Sequence, residues 1–163
     1  MPSATPPPAF TTGPCVPKGL AADATNIYWT DLGTGAVMAE PLAGGTPTSL
    51  AAAVSPLGIG VAGGYVYWTD NVSDVLQRVA TSLATTAQTL ESTTAPGPLY
   101  VDGTNVYWID SSGVERAPVA GGTVVTVGVG QTPVAIAGDA TAVYWANQGT
   151  GAGNGSIQRL RKP

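Results

Sequence analysis

The chain has 163 residues, of which six are basic and ten acidic, for a formal charge of -4; only 10% of residues are charged. That balance leaves no electrostatic footprint for DNA or RNA, and the short basic end at Arg159, Arg161 and Lys162 does not supply one, so no nucleic-acid partner is expected. No run approaches the roughly 18 apolar residues of a membrane span, and the absence of histidine closes off a Ser-His-Asp triad, a His-based metal site and a His general acid or base.

Residues 1–14 are rich in Pro and Thr, and Pro6-Pro7-Pro8 favours an extended path. Met1-Pro2-Ser3-Ala4 lacks the basic start and apolar core of a signal peptide. Cys15 is alone, so no disulfide forms within the chain, and it reads as a small apolar residue. From there four units follow, over about 15–53, 54–93, 94–131 and 132–163. Pro17, Pro56, Pro96 and Pro133 stand six residues before Asp23, Ala62, Asp102 and Asp139. Leu20, Ile59, Leu99 and Ile136 stand three residues before the same positions. Proline suits a strand start, where its missing donor breaks no ladder.

Each unit reads as four short strands in a chain whose 22 glycines and 14 prolines turn it often. The first strand is small and apolar, as in Gly58-Ile59-Gly60-Val61-Ala62. The second carries an aromatic doublet: Ile27-Tyr28-Trp29-Thr30-Asp31, Val66-Tyr67-Trp68-Thr69-Asp70, Val106-Tyr107-Trp108-Ile109-Asp110 and Val143-Tyr144-Trp145-Ala146-Asn147. The tyrosines are 39, 40 and 37 residues apart (28 to 67, 67 to 107, 107 to 144), and the doublets hold all four tryptophans. The third strand is Val37-Met38-Ala39, Leu76-Gln77-Arg78, Val114-Glu115-Arg116 or Ile157-Gln158-Arg159; the fourth is Thr-rich and follows a turn such as Ala43-Gly44-Gly45.

Four antiparallel strands repeated at about 40 residues predict an all-β fold, a β-propeller of four four-stranded blades per chain. Strand alternation puts Tyr and Trp of each doublet on opposite faces, one toward the blade before and one toward the blade after. Tyr28, Trp29, Tyr67, Trp68, Tyr107, Trp108, Tyr144 and Trp145 are the expected inter-blade contacts. Unit four has too few residues after Arg159 for a last strand, and the Thr5-to-Thr12 segment is expected to donate it. The ring is either closed with four blades or, from two chains, eight-bladed, so one expected partner is a second copy of the chain.

The Tyr-Trp-Thr-Asp at 28–31 and 67–70 resembles the YWTD-type propeller repeat of low-density-lipoprotein-receptor relatives. In texture, with Gly-Gly-Thr-Pro-Thr-Ser-Leu at 44–50, it is closest to uncharacterised secreted bacterial repeat proteins. The resemblance covers residues 17–163, and units three and four depart from it at Ile109 and at Ala146-Asn147. It implies a rigid, non-catalytic binding scaffold placed outside the cytoplasm, extracellular or periplasmic, without naming a ligand.

Asp31, Asp70, Asp110 and Asn147 recur at one strand end, where they either ring a mouth for a ligand or accept bonds from their own turns; the second is expected. Asp23, Asp102 and Asp139 carry the same choice one turn earlier. Arg78, Arg116 and Arg159 occupy equivalent positions and form either an anion-binding arc or, as expected, pairs with carboxylates or stacks on the tryptophans. Asp70-Asn71-Val72-Ser73-Asp74 clusters oxygens but lacks the glycine and distant glutamate of an EF-hand, so no metal or cofactor is expected. The Gly149-to-Gly155 stretch opens onto a strand and reads as a long hairpin loop, not a phosphate cradle. The functional expectation is a non-catalytic scaffold for protein, peptide or glycan binding or for self-assembly. A carboxylate- or metal-dependent hydrolase or lyase, and a fragment of a longer repeat protein, are the alternatives.

Overall fold

A computed structural model of the chain describes residues 9–11, 16–82, 86–129, 132–149, 151 and 153–162. Among them no helix occurs, and the strands form four antiparallel sheets in chain order. The first sheet is β1 (Pro17–Ala22), β2 (Asn26–Asp31), β3 (Ala36–Pro41) and β4 (Thr48–Ala52). The second is β5 (Pro56–Ala62), β6 (Tyr65–Asp70), β7 (Val75–Ala80) and β8 (Gln88–Ser92). The third is β9 (Leu99–Val101), β10 (Asn105–Asp110), β11 (Gly113–Pro118) and β12 (Val125–Gly128), and the fourth is β13 (Pro133–Gly138), β14 (Ala142–Asn147) and β15 (Ser156–Arg161). Each sheet is a meander, so every strand lies beside its sequence neighbour.

Three of the four sheets begin on the expected proline; the third does not. Pro96 and Pro98 both lack a donor, and β9 starts only at Leu99. The segment stays tied to β10 through the intervening glycine: Gly97 N donates to Ile109 O, and Ile109 N to Pro98 O. The fourth sheet has three strands among the described residues. The expected N-terminal donor and Cys15 fall largely outside the described residues; 9–11, the part of that segment that is described, is not in a strand.

Turn chemistry explains the first hairpin of each sheet. Asp23 Oδ1 accepts from the backbone of Thr25 and Asn26, and Asp102 and Asp139 do the same for Thr104 with Asn105 and for Thr141 with Ala142. The second sheet has Ala62 there and turns instead on Gly63 and Gly64, at φ of 58° and 79°, a conformation glycine adopts without steric cost.

The core lies between sheets. Tyr28 and Val37 of the first sheet share one apolar cluster with Ile59, Val66 and Trp68 of the second. Tyr67 and Leu76 of the second meet Leu99, Val106 and Trp108 of the third, and Ile109 and Val114 of the third meet Trp145 of the fourth. Each sheet thus turns its Tyr face to the Trp face of the next, as the alternation of the doublets predicts, and each such ring removes about 150–250 Å² from water. The inner strands β1, β5, β9 and β13 neighbour one another in that order, whereas β1 and β13 share no contact of comparable extent among the described residues.

Two devices hold the sheets at this spacing. A Cβ on Gly19 would meet the carbonyl oxygen of Leu57 at 2.5 Å, and one on Gly58 would meet that of Gly97 at 2.6 Å, so the glycines of the inner strands mark backbone against backbone. Beside them, Thr30 Oγ1 accepts from Gly19 N at 2.8 Å and donates to Leu57 O of the next sheet at 2.9 Å. Thr69 repeats the pattern with Gly58 N at 3.0 Å and Gly97 O at 2.6 Å. In the third sheet Ile109 stands at this position and packs against Trp145 instead.

Candidate functional site

At one end of the sheets lie the second-to-third-strand turns with the recurrent acidic residues. Asp31 Oδ1 accepts from the backbone of Val16, Gly33 and Thr34 at 2.9–3.2 Å. Asp70 is buried and accepts from the backbone of Val54, Ser55, Val72 and Ser73. Asp110 accepts from Thr93 Oγ1 at 2.6 Å and Ser112 N at 2.7 Å, and Asn147 Nδ2 donates to Ser156 Oγ at 3.1 Å. These side chains bind their own turns and, at Asp31, Asp70 and Asp110, the segment leading into the sheet. Burial works to raise the carboxyls of Asp31 and Asp70, but the backbone donors outweigh it and hold both below the usual range. Asp74 Oδ1 meanwhile accepts from Ala95 N at 2.8 Å, and Asn71 Nδ2 donates to Pro96 O, so the oxygen-rich turn 70–74 is tied to the next sheet. Among the described residues no three acidic or Cys side chains gather at a spacing suited to a metal.

The three arginines sit opposite the tyrosines: Arg78 pairs in register with Tyr67, Arg116 with Tyr107 and Arg159 with Tyr144. Arg78 lies 4.6 Å above the ring of Tyr65, donates from Nε to Gln88 Oε1 and from Nη1 to the carbonyl of Val119 in the third sheet. The expected stack on tryptophan is therefore replaced by one on tyrosine, because strand alternation puts Arg78 on the Tyr face and Trp68 on the other. In the glycine-rich hairpin, Gly149 and Gly153 have φ of 71° and 83°, and Gly151 N donates to Asn154 Oδ1.

The groove best furnished with chemistry lies at the opposite end, between the third and fourth sheets. It encloses about 380 Å³ and is lined by Tyr100, Asp102, Asn105, Tyr107, Asp139 and Lys162, among others. Its centre is Lys162, which no repeat pattern singled out. Nζ lies 2.9 Å from Asp102 Oδ2, donates to Tyr100 OH at 3.2 Å and to Asp139 O at 2.6 Å, and sits 5.0 Å from the centroid of the Tyr100 ring. Burial alone lowers an ammonium; the bonds to Asp102 and Tyr100 outweigh it, and Lys162 is held charged above its ordinary range. Asp102 is correspondingly lowered, its burial overcome by Asn105 N, Lys162 and Thr104 N. Asp139 is taken down to about 2 by the backbone and hydroxyl of Thr141 and by Ala142 N. The Tyr100 and Tyr107 rings are 6.2 Å apart and form an aromatic wall. Gly138 faces that wall, since a Cβ there would collide with the Tyr100 ring. The result is an aromatic surface edged by fixed charges of both signs, able to hold hydroxyl, amide or carboxylate groups.

No protein-family model matches the sequence, and no curated protein matches it significantly. Similarity is found among solved structures, and it shows the fold alone, that of a β-propeller. A chain of the nidogen/laminin complex superposes with a TM-score of 0.78 at 24% identity, over 90% of this chain and 61% of that one. The computationally designed Ika4 protein superposes with 0.72 at 11% identity, covering 95% of this chain and 96% of that one. Virginiamycin B lyase from Staphylococcus aureus gives 0.63 at 15% identity, over 90% of this chain and 56% of that one. A gluconolactonase from Xanthomonas campestris gives 0.69 at 18% identity, over 90% and 58%. The chain thus spans less than two thirds of several of the structures it resembles.

Proposed function

We propose that the chain is a non-catalytic β-propeller scaffold that binds a polar protein segment, peptide or glycan, acting outside the cytoplasm as the repeat resemblance implies. The observation that carries the reading is the groove between the third and fourth sheets: Lys162, Asp102 and Asp139 are already fixed by hydrogen bonds beside the Tyr100 and Tyr107 rings. Side chains locked before a ligand arrives lose little rotamer freedom on binding, and a volume of about 380 Å³ lies in the range of small-ligand sites. Nidogen in its complex with laminin is a propeller in a protein–protein assembly. The lyase neighbours point the other way, toward catalysis, but one of them is a catalytically inactive histidine-to-alanine variant, and this chain has no histidine to serve.

Glycan-array and peptide-array screening followed by calorimetric titration tests the proposal. A ligand is expected whose affinity falls at least about tenfold in Lys162→Met, which frees the Asp102 carboxylate and Tyr100 hydroxyl that Lys162 holds in place. Turnover of the bound compound, or affinity unchanged by that substitution, would sink it.

A further inference from the structure

The two outermost sheet faces break a rule that the inner ones keep. Leu20, Ile59 and Leu99 pair in register with Trp29, Trp68 and Trp108, so they hold one position on the Trp face of successive sheets. Ile59 and Leu99 are 8% and 9% exposed, each covered by the sheet before it; Leu20 is 69% exposed. On the Tyr face, Val37, Leu76, Val114 and Ile157 pair with Thr30, Thr69, Ile109 and Ala146. The first three are 0% exposed, each covered by the sheet after it, whereas Ile157 is 73% exposed. Tyr144 likewise is only half-buried, where Tyr28, Tyr67 and Tyr107 are buried.

Two half-junctions are thus unpaired among the described residues: a Trp face on the first sheet, where Leu20 is exposed while Trp29 itself is buried, and a Tyr face on the fourth. Three times within the chain such a pair meets and buries its apolar positions. The two outer halves do not meet each other through the inner strands, since β1 and β13 share no extensive contact among the described residues. A polar complement exists as well. Arg78 reaches across its junction to the carbonyl of Val119, and Leu42 is the residue of the first sheet equivalent to Val119: Leu42 N donates to Thr25 O as Val119 N donates to Thr104 O. Leu42 is exposed, and so is Arg159, the fourth-sheet counterpart of Arg78.

We infer that the face carrying Tyr144, Ile157 and Arg159 docks on the face carrying Leu20 and Leu42 of a second copy of this chain. Two copies arranged head to tail use both faces twice and close a ring of eight sheets. The occupant is a copy of the chain because it offers, in one molecule, both halves of a junction in the register and chirality already used three times. A face of one kind meeting a face of another is a heterologous contact, which closes only at a fixed number of subunits.

Sedimentation equilibrium, run up to about 100 μM because association is set by mass action, tests it. The wild-type chain is expected at twice its 16.2 kDa. Leu20→Asp and Ile157→Asp are each expected at the mass of one chain, with the far-ultraviolet spectrum and melting cooperativity retained, because both positions are exposed within a copy. Val72→Asp, at an exposed turn position belonging to neither face, is expected to stay paired. A wild-type mass of one chain throughout, or an assembly that both face substitutions leave intact, overturns the inference.

Discussion

Replacing Thr69 by valine isolates what the threonine of the repeat does. Valine has nearly the same shape, so no cavity opens, and only the hydroxyl is lost. That hydroxyl accepts from Gly58 N at 3.0 Å and donates to Gly97 O at 2.6 Å, inside a residue that is fully buried. Each net hydrogen bond contributes about 1 kcal/mol, and a buried backbone group left without a partner adds to the loss. The expected cost is thus about 2–3 kcal/mol, which for a chain of this length lowers the melting temperature by about 5–10 °C. Urea unfolding followed by tryptophan fluorescence reads it as a lower midpoint at unchanged m-value. Thr48→Val is the control: Thr48 is exposed and its hydroxyl donates within its own sheet, to Ala39 O at 3.4 Å, so its removal is expected to stay within about 0.5 kcal/mol. Equal, small effects of the two substitutions would refute the view that the threonine bridges sheets.

Four further outcomes are expected. Gly58→Ala drives a Cβ into the backbone of Gly97 and Leu99, which cannot swing aside, and costs about 1–3 kcal/mol by thermal melting. Ala53→Thr raises stability by about 1 kcal/mol: the buried Trp68 Nε1 has no partner among the described residues, while Thr93, the equivalent residue one sheet on, accepts from Trp108 Nε1 at 3.1 Å. Acid weakens the fold: Asp23 lies at about 2, its burial outweighed by Thr25 N, the Tyr28 hydroxyl and Asn26 N, and Asp31, Asp70 and Asp102 are lowered too. Carboxyls depressed in the folded state contribute stability that is full above about pH 4 and is lost as pH falls through their folded values, so the melting temperature should fall steadily from about pH 4 to 2. Glu115 has the opposite sign, raised by burial with Oε1 unpartnered, so Glu115→Gln should stabilise at pH 7 and lose that gain at pH below about 4, where glutamate is neutral in both states.

The strand plan was legible because it rests on short-range signals: doublets at even spacing, turn-forming aspartates and prolines at strand starts. The Tyr-to-Trp junction follows from alternation alone. What sequence missed depends on neighbours one sheet away. The threonine after the doublet looks in sequence like one more motif letter, yet its hydroxyl crosses to Leu57 O and Gly97 O of the next sheet. Lys162 belongs in sequence to a short basic end; its partners Tyr100 and Asp102 lie about 60 residues back, beyond the reach of any local pattern. Sequence offers Arg78 either a carboxylate or a tryptophan; the register puts it on the Tyr face, over Tyr65.

Because every junction repeats one handshake between unlike faces, the number of units is not dictated by any single contact. Excising residues 54–93 whole would seat the sheet bearing Tyr28 against the one bearing Trp108, ring type for ring type. A slip of one residue in the pairing of a strand would instead turn its aromatic doublet inside out, since neighbouring side chains on a strand point opposite ways. Growth and shortening of such a chain go by whole sheets, while differences of a few residues, as among the spacings of 39, 40 and 37, are taken up in the turns.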